Sequence, residues 1–198
     1  MNPAIVPIVE GQSEEKSVPV LLRRILHERL HVFDIDIAKA FRVRRDQIVN
    51  KDSELGRAIT FASAKRENVK AILVLLDADN DCPAAVARKL LERAEKTASN
   101  MPIAVVLAKR EFESWLLGCK EKFRGFMGIP PDAIAPYGPE NVDGKGKLKK
   151  NMQGTKYDSA IDQVRFVERM DFDLSRQRCP SFAKLLRDVE RLVTEIKK

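Results

Sequence analysis

Val6-Pro7-Ile8-Val9-Glu10-Gly11-Gln12-Ser13-Glu14-Glu15 and Ile72-Leu73-Val74-Leu75-Leu76-Asp77-Ala78-Asp79-Asn80-Asp81 are the two stretches that decide how this chain is read. Each is a short apolar run of strand character that stops at acidic residues. In parallel α/β sheets, ligands bind at the carboxyl ends of strands. Carboxylates placed there are held by a rigid strand yet face solvent. Two such ends carrying acids point to a divalent-metal site and phosphate chemistry.

The rest of the chain fits an α/β frame. Ile5–Val9 reads as the first strand, and Ser13 reads as the N-cap of a helix with Glu14 and Glu15 in its first turn. Val18, Leu21, Leu22, Ile25 and Leu26 lie on one face of that helix. Phe33–Val43 contains a second strand and Ser53–Lys65 a second helix. Ala71–Leu76 has the continuous apolar character of a central parallel strand. A helix through Ala84, Ala87, Leu90, Leu91 and Ala94 follows, capped by Asp81 or a neighbour, with Pro83 in its first turn. Pro102–Ala108 reads as the fourth strand, and a helix starts in Glu111–Leu117. Alternating strands and helices predict a mostly parallel, four-stranded sheet with helices on both faces. Residues 1–118 form this core. Residues 119–198 add a basic Pro- and Gly-rich loop over Gly128–Gly154 and helices at Ala160–Met170 and Phe182–Ile196, packed on the core as one unit.

At 198 residues, 44% hydrophobic and 33% charged, the composition suits one ordinary folded core. No apolar run approaches the roughly 20 residues of a membrane span. The first residues lack a basic region of signal-peptide type. Cys82, Cys119 and Cys179 are widely spaced with no CxxC pair, which argues against a cysteine zinc site and fits a reducing cytoplasm. The net charge of +7 favours a polyanionic partner. Lys145, Lys147, Lys149, Lys150 and Lys156 crowd one stretch, a basic rim suited to nucleic acid beside an acidic centre.

Asp77 and Asp79 sit at i and i+2, which in an extended chain places their carboxylates on the same side. Hard cations such as magnesium take oxygen ligands, commonly one or two carboxylates with waters and substrate phosphates. Glu10 ends the neighbouring strand, Gly11 permits a sharp turn or a close approach, and Glu14 lies four residues on.

These residues resemble the TOPRIM fold of topoisomerases, primases and related nucleases, marked by Glu-Gly after strand one (Glu10-Gly11) and Asp-x-Asp after a later strand (Asp77-Ala78-Asp79). The resemblance covers about residues 4–118. The Glu10-x-x-x-Glu14 spacing further resembles TOPRIM nucleases of the overcoming-lysogenisation-defect type, which use two metals. Glu111-Phe112-Glu113-Ser114-Trp115 and Arg176-Gln177-Arg178-Cys179-Pro180-Ser181-Phe182 resemble elements of an uncharacterised bacterial family of stand-alone TOPRIM-like proteins, and this likeness spans nearly the full chain. It implies a hydrolase acting on phosphodiester bonds of nucleic acid, with two Mg2+ or Mn2+ ions about 3.5–4 Å apart. Asp77 and Asp79 with Glu10 would hold one ion. Glu14 and one of Glu111 or Glu113, with Glu113 preferred, would hold the second. Glu10, Asp77 and Asp79 would be catalytic, and Lys109, Lys147 or Lys156 would stabilise phosphoryl charge. The implied setting is antiphage or mobile-element defence. The expected partners are DNA before RNA, a separate ATPase subunit and a second copy of the chain; no membrane partner is expected.

Other readings compete. A topoisomerase needs a nucleophilic tyrosine domain, and the chain has only Tyr137 and Tyr157, both outside the sheet region. A primase-like nucleotidyl transferase would use the same acids. A haloacid-dehalogenase phosphatase has Asp-x-Asp on its first strand followed by Thr or Val, where this chain has Asn80 after its third. A non-catalytic nucleic-acid-binding or regulatory subunit of an ATPase complex would use the lysines and not the acids. His27-Glu28-Arg29-Leu30-His31 matches the zinc-protease pattern, but at about 100° per residue both histidines fall opposite the apolar face. Gly138–Lys145 lacks the spacing of a P-loop. Asp34-Ile35-Asp36 and Asp171-Phe172-Asp173 follow no long apolar strand, Trp115 reads as core, and Arg176–Cys179 reads as a loop between helices whose Arg176 and Arg178 either contact phosphates as bidentate donors or are basic without a function.

Overall fold

The computed structural model describes residues 1–64, 68–154 and 156–198. Its centre is a wholly parallel sheet of β1 (Ala4–Val9), β2 (Asp36–Ile37), β3 (Phe41–Arg42), β4 (Val69–Asp77) and β5 (Ile103–Ala108), in the order β2-β1-β4-β5, with β3 also paired to β1. β1, β4 and β5 are apolar along both faces because both are covered. Ile5, Leu73, Leu75 and Val106 enter one core, and Val6, Ile72, Val74 and Leu107 enter the other.

The expected second strand, Phe33–Val43, is two strands of two residues each, so the sheet has five strands where four were expected. Pro7 supplies the reason. The carbonyls of Ile5 and Val9 accept from Ala38 and Val43 on the outer side of β1. Alternation aims position 7 at the same neighbour, and proline has no N–H to donate. β2 pairs at Ala4 and Ile5, β3 pairs at Ile8 and Val9, and the ladder is interrupted between them.

The chain leaves β1 through α1 (Gln12–Arg24) over one face and returns through α2 (Arg45–Asn50) and α3 (Asp52–Ala64) over the other. The expected apolar face of α1 is buried at Val18, Leu21, Leu22, Ile25 and Leu26. Its N-cap is Gly11, not Ser13. The last turn, Ile25–Arg29, is a π-helix that leaves His27 and His31 exposed, His27 stacked on Phe33. α3 coincides with the predicted Ser53–Lys65 helix, whose last residue, Lys65, lies outside the described residues. α4 (Pro83–Thr97) is capped by Cys82. After β5 comes α5 (Glu113–Gly118), with Glu111 just ahead of it.

Two expectations for the C-terminal part need correction. The stretch 128–154 is not all loop: it contains α6 (Gly144–Asn151), capped by Asp143, whose carboxylate accepts from Gly146 N at 2.8 Å. Glycine and lysine content hid this helix, which buries Leu148 fully. Arg176–Arg178 is not a loop but the end of α8 (Phe172–Arg178), capped by Asp171. α7 (Ser159–Val167) packs on α1, and α9 (Pro180–Ile196) packs on β5 and β4. The C-terminal helices therefore complete the sheet's first face. Among the described residues, no helix is long and apolar enough to cross a membrane.

One buried polar knot ties α9 to this face. Trp115 Nε1 donates to Ser181 Oγ at 2.7 Å, and the Glu140 carboxylate accepts from both the Ser181 hydroxyl and, at 2.9 Å, the Ser181 backbone N–H. Trp115, Ser181 and Glu140 are all buried. Ser181→Ala leaves the indole N–H unpaired and removes one donor from the carboxylate. It is expected to lower unfolding free energy by about 1–3 kcal/mol, read by urea denaturation; a loss below about 0.5 kcal/mol would mean water replaces the hydroxyl.

Candidate metal centre

β1 turns outward to α1 on one face, and the path back to β4 crosses the other face. The gap between the carboxyl ends of β1 and β4 is therefore the switch point where open α/β sheets bind ligands. With Val9 opposite Leu75, Glu10 and Asp77 leave their strands at nearly the same height.

Asp77 is the last residue of β4, and its Oδ1 accepts from Phe112 N at 2.9 Å. Burial, and then the carboxylates of Glu14, Glu113 and Glu10, raise its pKa well above the usual value, against the Phe112 hydrogen bond. Glu10 is raised in the same direction by burial and Asp79, with Arg45 and a hydrogen bond from the Asp77 backbone opposing. Its Oε2 is buried and has no hydrogen-bond partner. Glu113, only 4% exposed, opens α5. Burial raises its pKa and Glu111 and Glu14 add to that, while the Tyr157 hydroxyl, donating to Oε1 at 3.0 Å, opposes it.

Glu14 stands in the first turn of α1 and accepts from Gln163 Nε2 at 2.9 Å; Gln163 Oε1 accepts in turn from Ser17 at 2.5 Å. Helix α7 thus aims the acid carried by α1. Gly11 has an ordinary φ of −97°, and what a side chain there would disturb is the position of the Glu14 carboxylate. A Cβ there would stand 1.9 Å from Glu14 Oε2.

Asp79 departs from the expected geometry. The strand ends at Asp77, and Asp79 turns to a left-handed φ of 51°, its N–H donating to Arg110 O at 2.8 Å. Its carboxylate does not parallel that of Asp77. It is largely exposed, lies 3.5 Å from Arg45 Nε, and acts electrostatically on Glu10. Arg45 grips the whole turn, donating to Asp77 O at 2.7 Å and Ala78 O at 3.1 Å and pairing with Asp81. Of the two alternatives after β5, Glu113 shares the environment of Asp77. Glu111 instead accepts from Lys145 N at 2.9 Å.

The structure therefore brings Glu10, Glu14, Asp77 and Glu113 together, with Asp79 at the edge. Lys145 is half-buried at the start of α6, Lys147, Lys149 and Lys150 are exposed along it, and Lys156 is exposed beyond it. Lys109 is tied to Asn141 Oδ1 at 2.7 Å. Arg45, Tyr157 and Gln163 escaped the sequence reading. They lie from 32 to 149 residues away from the groups they hold, and no local pattern marks them.

Among the described residues, no three His, Cys, Asp or Glu side chains form a ready-made metal cage. The donors nonetheless suit a hard divalent ion. All are carboxylate oxygens, and the buried, unpartnered Glu10 Oε2 is the kind of atom a cation would satisfy. Magnesium commonly completes its shell with water and substrate phosphate. Residues 9–190, nearly the whole chain, match the family described as a domain of unknown function (DUF4276). No curated protein and no solved structure matches the chain.

Because the Asp77 pKa is raised in the folded protein, the folded state binds that proton more tightly than the unfolded chain, whose value is about 3.8. The group's contribution to stability thus falls as pH rises from that value through the folded one. Asp77→Asn removes the repulsion and keeps an acceptor for Phe112. In metal-free buffer near pH 8 it is expected to raise unfolding free energy by about 0.5–2 kcal/mol, with the gain vanishing towards pH 4. Destabilisation near pH 8 would contradict the electrostatic account.

Proposed function

We propose that the chain, which belongs to the family described as a domain of unknown function (DUF4276), is a metal-dependent nuclease of TOPRIM type that hydrolyses phosphodiester bonds of nucleic acid. The observation that carries this reading is the gathering of Glu10, Glu14, Asp77 and Glu113 at the switch point of a parallel sheet, with proton affinities raised at Glu10, Asp77 and Glu113. Carboxylates gathered with raised proton affinity, offset by a cation only at Glu10 through Arg45, favour a function over a structural role.

Glu10 and Asp77 would be the principal magnesium or manganese ligands, joined by Asp79 on one side and by Glu14 and Glu113 on the other. A bound ion would polarise the phosphoryl oxygens and lower the pKa of an attacking water. Metal-bound Glu10 would also take a proton from the nucleophile or return one to the leaving oxygen. Gln163 and Tyr157 fix the aim of Glu14 and Glu113. Arg45 holds the turn that carries Asp77, Ala78 and Asp81. The exposed lysines of α6 would position the sugar-phosphate backbone without reading its sequence. The protein would act in the cytoplasm, in antiphage or mobile-element defence, with a separate ATPase as partner.

The test is cleavage of supercoiled plasmid and single-stranded DNA with magnesium or manganese. Wild type is expected to cleave both, Glu10→Ala and Asp77→Ala to retain less than about 1% of the activity, and Tyr157→Phe, which supports a ligand, to lose about 10–100-fold. Equal cleavage by all proteins would place the activity elsewhere. Binding without cleavage, abolished by Lys-to-Ala changes over 145–150, would leave a non-catalytic nucleic-acid-binding subunit as the reading.

A further inference from the structure

Beyond the acidic centre, α5 leads to a second concentration of charge, of opposite sign. Lys120 follows α5 after Cys119, opens a short 3-10 turn (Lys120–Phe123) and is only 8% exposed. Its Nζ donates to Asn151 Oδ1 at 3.1 Å, a neutral acceptor. The adjacent Glu121 is committed to Arg178 at 2.8 Å, and Asp132 is exposed. Among the described residues, neither Lys120, Lys147 nor Lys150 stands within ion-pair distance of a carboxylate. These three lysines, with Leu117, Pro136 and Asn151, line a pocket of about 330 Å³.

A buried cation without an anion is costly, and the usual remedies are a paired carboxylate or a shifted proton equilibrium. Here there is no paired carboxylate. Burial lowers the pKa of Lys120; the Glu121 carboxylate opposes this, Lys147 adds a smaller lowering, and Asp132 opposes it least. Helix-dipole attraction explains basic residues in the last turn of α6, Lys149 and Lys150. It does not explain a lysine from a different element buried against them. The pocket volume lies at the lower end of the range for small-ligand sites. Leu117 and Pro136 add apolar wall beside the three cations.

We propose that Lys120, Lys147 and Lys150 form a phosphoryl-binding pocket, separate from the acidic centre, that takes a phosphate group of a nucleotide or nucleic-acid strand. Asn151 orients Lys120 and is itself held by donation to Lys147 O. Glu113 opens α5, and Lys120 lies two residues beyond the end of that helix at Gly118, so the acids and this pocket flank one short helix. A phosphate anchored here would set the register of a strand crossing the acids, yet its binding does not depend on hydrolysis.

The experiment measures binding in EDTA, where no divalent ion bridges ligand and acids. A 3′-labelled single-stranded oligodeoxynucleotide is compared with and without a 5′-phosphate by fluorescence anisotropy, and each complex is competed with deoxynucleoside 5′-monophosphate. Tighter binding of the 5′-phosphorylated strand identifies a terminal phosphate, and equal binding of both strands identifies a backbone phosphate. Competition by the mononucleotide, with neither strand held tightly, identifies a free nucleotide. In whichever case holds, Lys120→Gln is expected to weaken binding about tenfold and to reduce the salt dependence by about one phosphate contact. Should Lys120→Gln fail to fold, the Lys147→Gln/Lys150→Gln double variant tests the same pocket through exposed side chains. Unchanged binding of every probe by the folded variants overturns the proposal. So does an equal loss in Lys89→Gln, on exposed α4 surface, which would mean diffuse charge attraction. Binding that follows this pattern in a protein that never cleaves would retain the pocket and remove the nuclease reading.

Discussion

Mutual repulsion among carboxylates at the ends of β1 and β4 is the constraint around which the molecule is arranged. Asp77 meets the charges of Glu14, Glu113 and Glu10, and no cation offsets them at that residue. Left to themselves, such side chains would turn to water, where their charges are screened. They stay together because each is carried by an element packed elsewhere: Glu10 by β1, Asp77 by β4, Glu14 by α1 and Glu113 by α5. Strands covered on both faces cannot shift without opening two cores at once. The rigidity of the doubly covered sheet is therefore what maintains an arrangement that electrostatics opposes.

The acids are held differently on their two sides. Towards α2, Arg45 supplies a cation and grips backbone carbonyls, so the Asp77–Asp81 turn is fixed by the chain itself and Asp79 and Asp81 are the pair partners. Towards α7, the support is neutral: an amide from Gln163 and a hydroxyl from Tyr157. Neutral donors orient a carboxylate without cancelling its charge. The acids on that side keep their capacity to attract a cation, whereas a lysine in the place of Tyr157 would have satisfied Glu113 outright. Residues 119–198 are accordingly part of the site and not an appendage, since Gln163 of α7 directs Glu14 and Tyr157, just ahead of α7, directs Glu113.

This division also explains what could be read in the sequence. Apolar runs ending in Glu10 and Asp77 are local patterns with a local meaning, and the α/β class and the helix faces followed from the same periodicities. The course of the outer strand was not visible, because Pro7 acts on a neighbour some 30 residues away through a hydrogen bond it cannot make. The turn of Asp79 out of the strand was hidden for a similar reason. Aspartate tolerates the left-handed region, and Arg45 and Arg110 O, both distant in sequence, hold it there. Helix α6 was masked by glycines and like-charged lysines, poor helix material by intrinsic preference, and it forms because Asp143 caps it and Leu148 anchors it.

The acidic centre and the basic helix are not independent surfaces that happen to lie close. At Gly144 the backbone of α6 touches that of α5: a Cβ there would stand 2.7 Å from Ser114 N and 3.0 Å from Glu113 C. One residue on, Lys145 N donates to Glu111. The positive end of α6 thereby occupies Glu111 and removes it from competition for whatever Glu113 and Asp77 attract. The same contact sets the direction in which α6 carries Lys147 and Lys150 away from the acids and towards Lys120. A polyanionic strand reaching from the acids to α6 would thus meet negative charge at one end and positive charge at the other. Its polyanionic backbone would be held at the lysines and opposed at the acids unless a divalent ion stood between, which is the electrostatic condition for placing one phosphate at a metal and its neighbours on a basic rail.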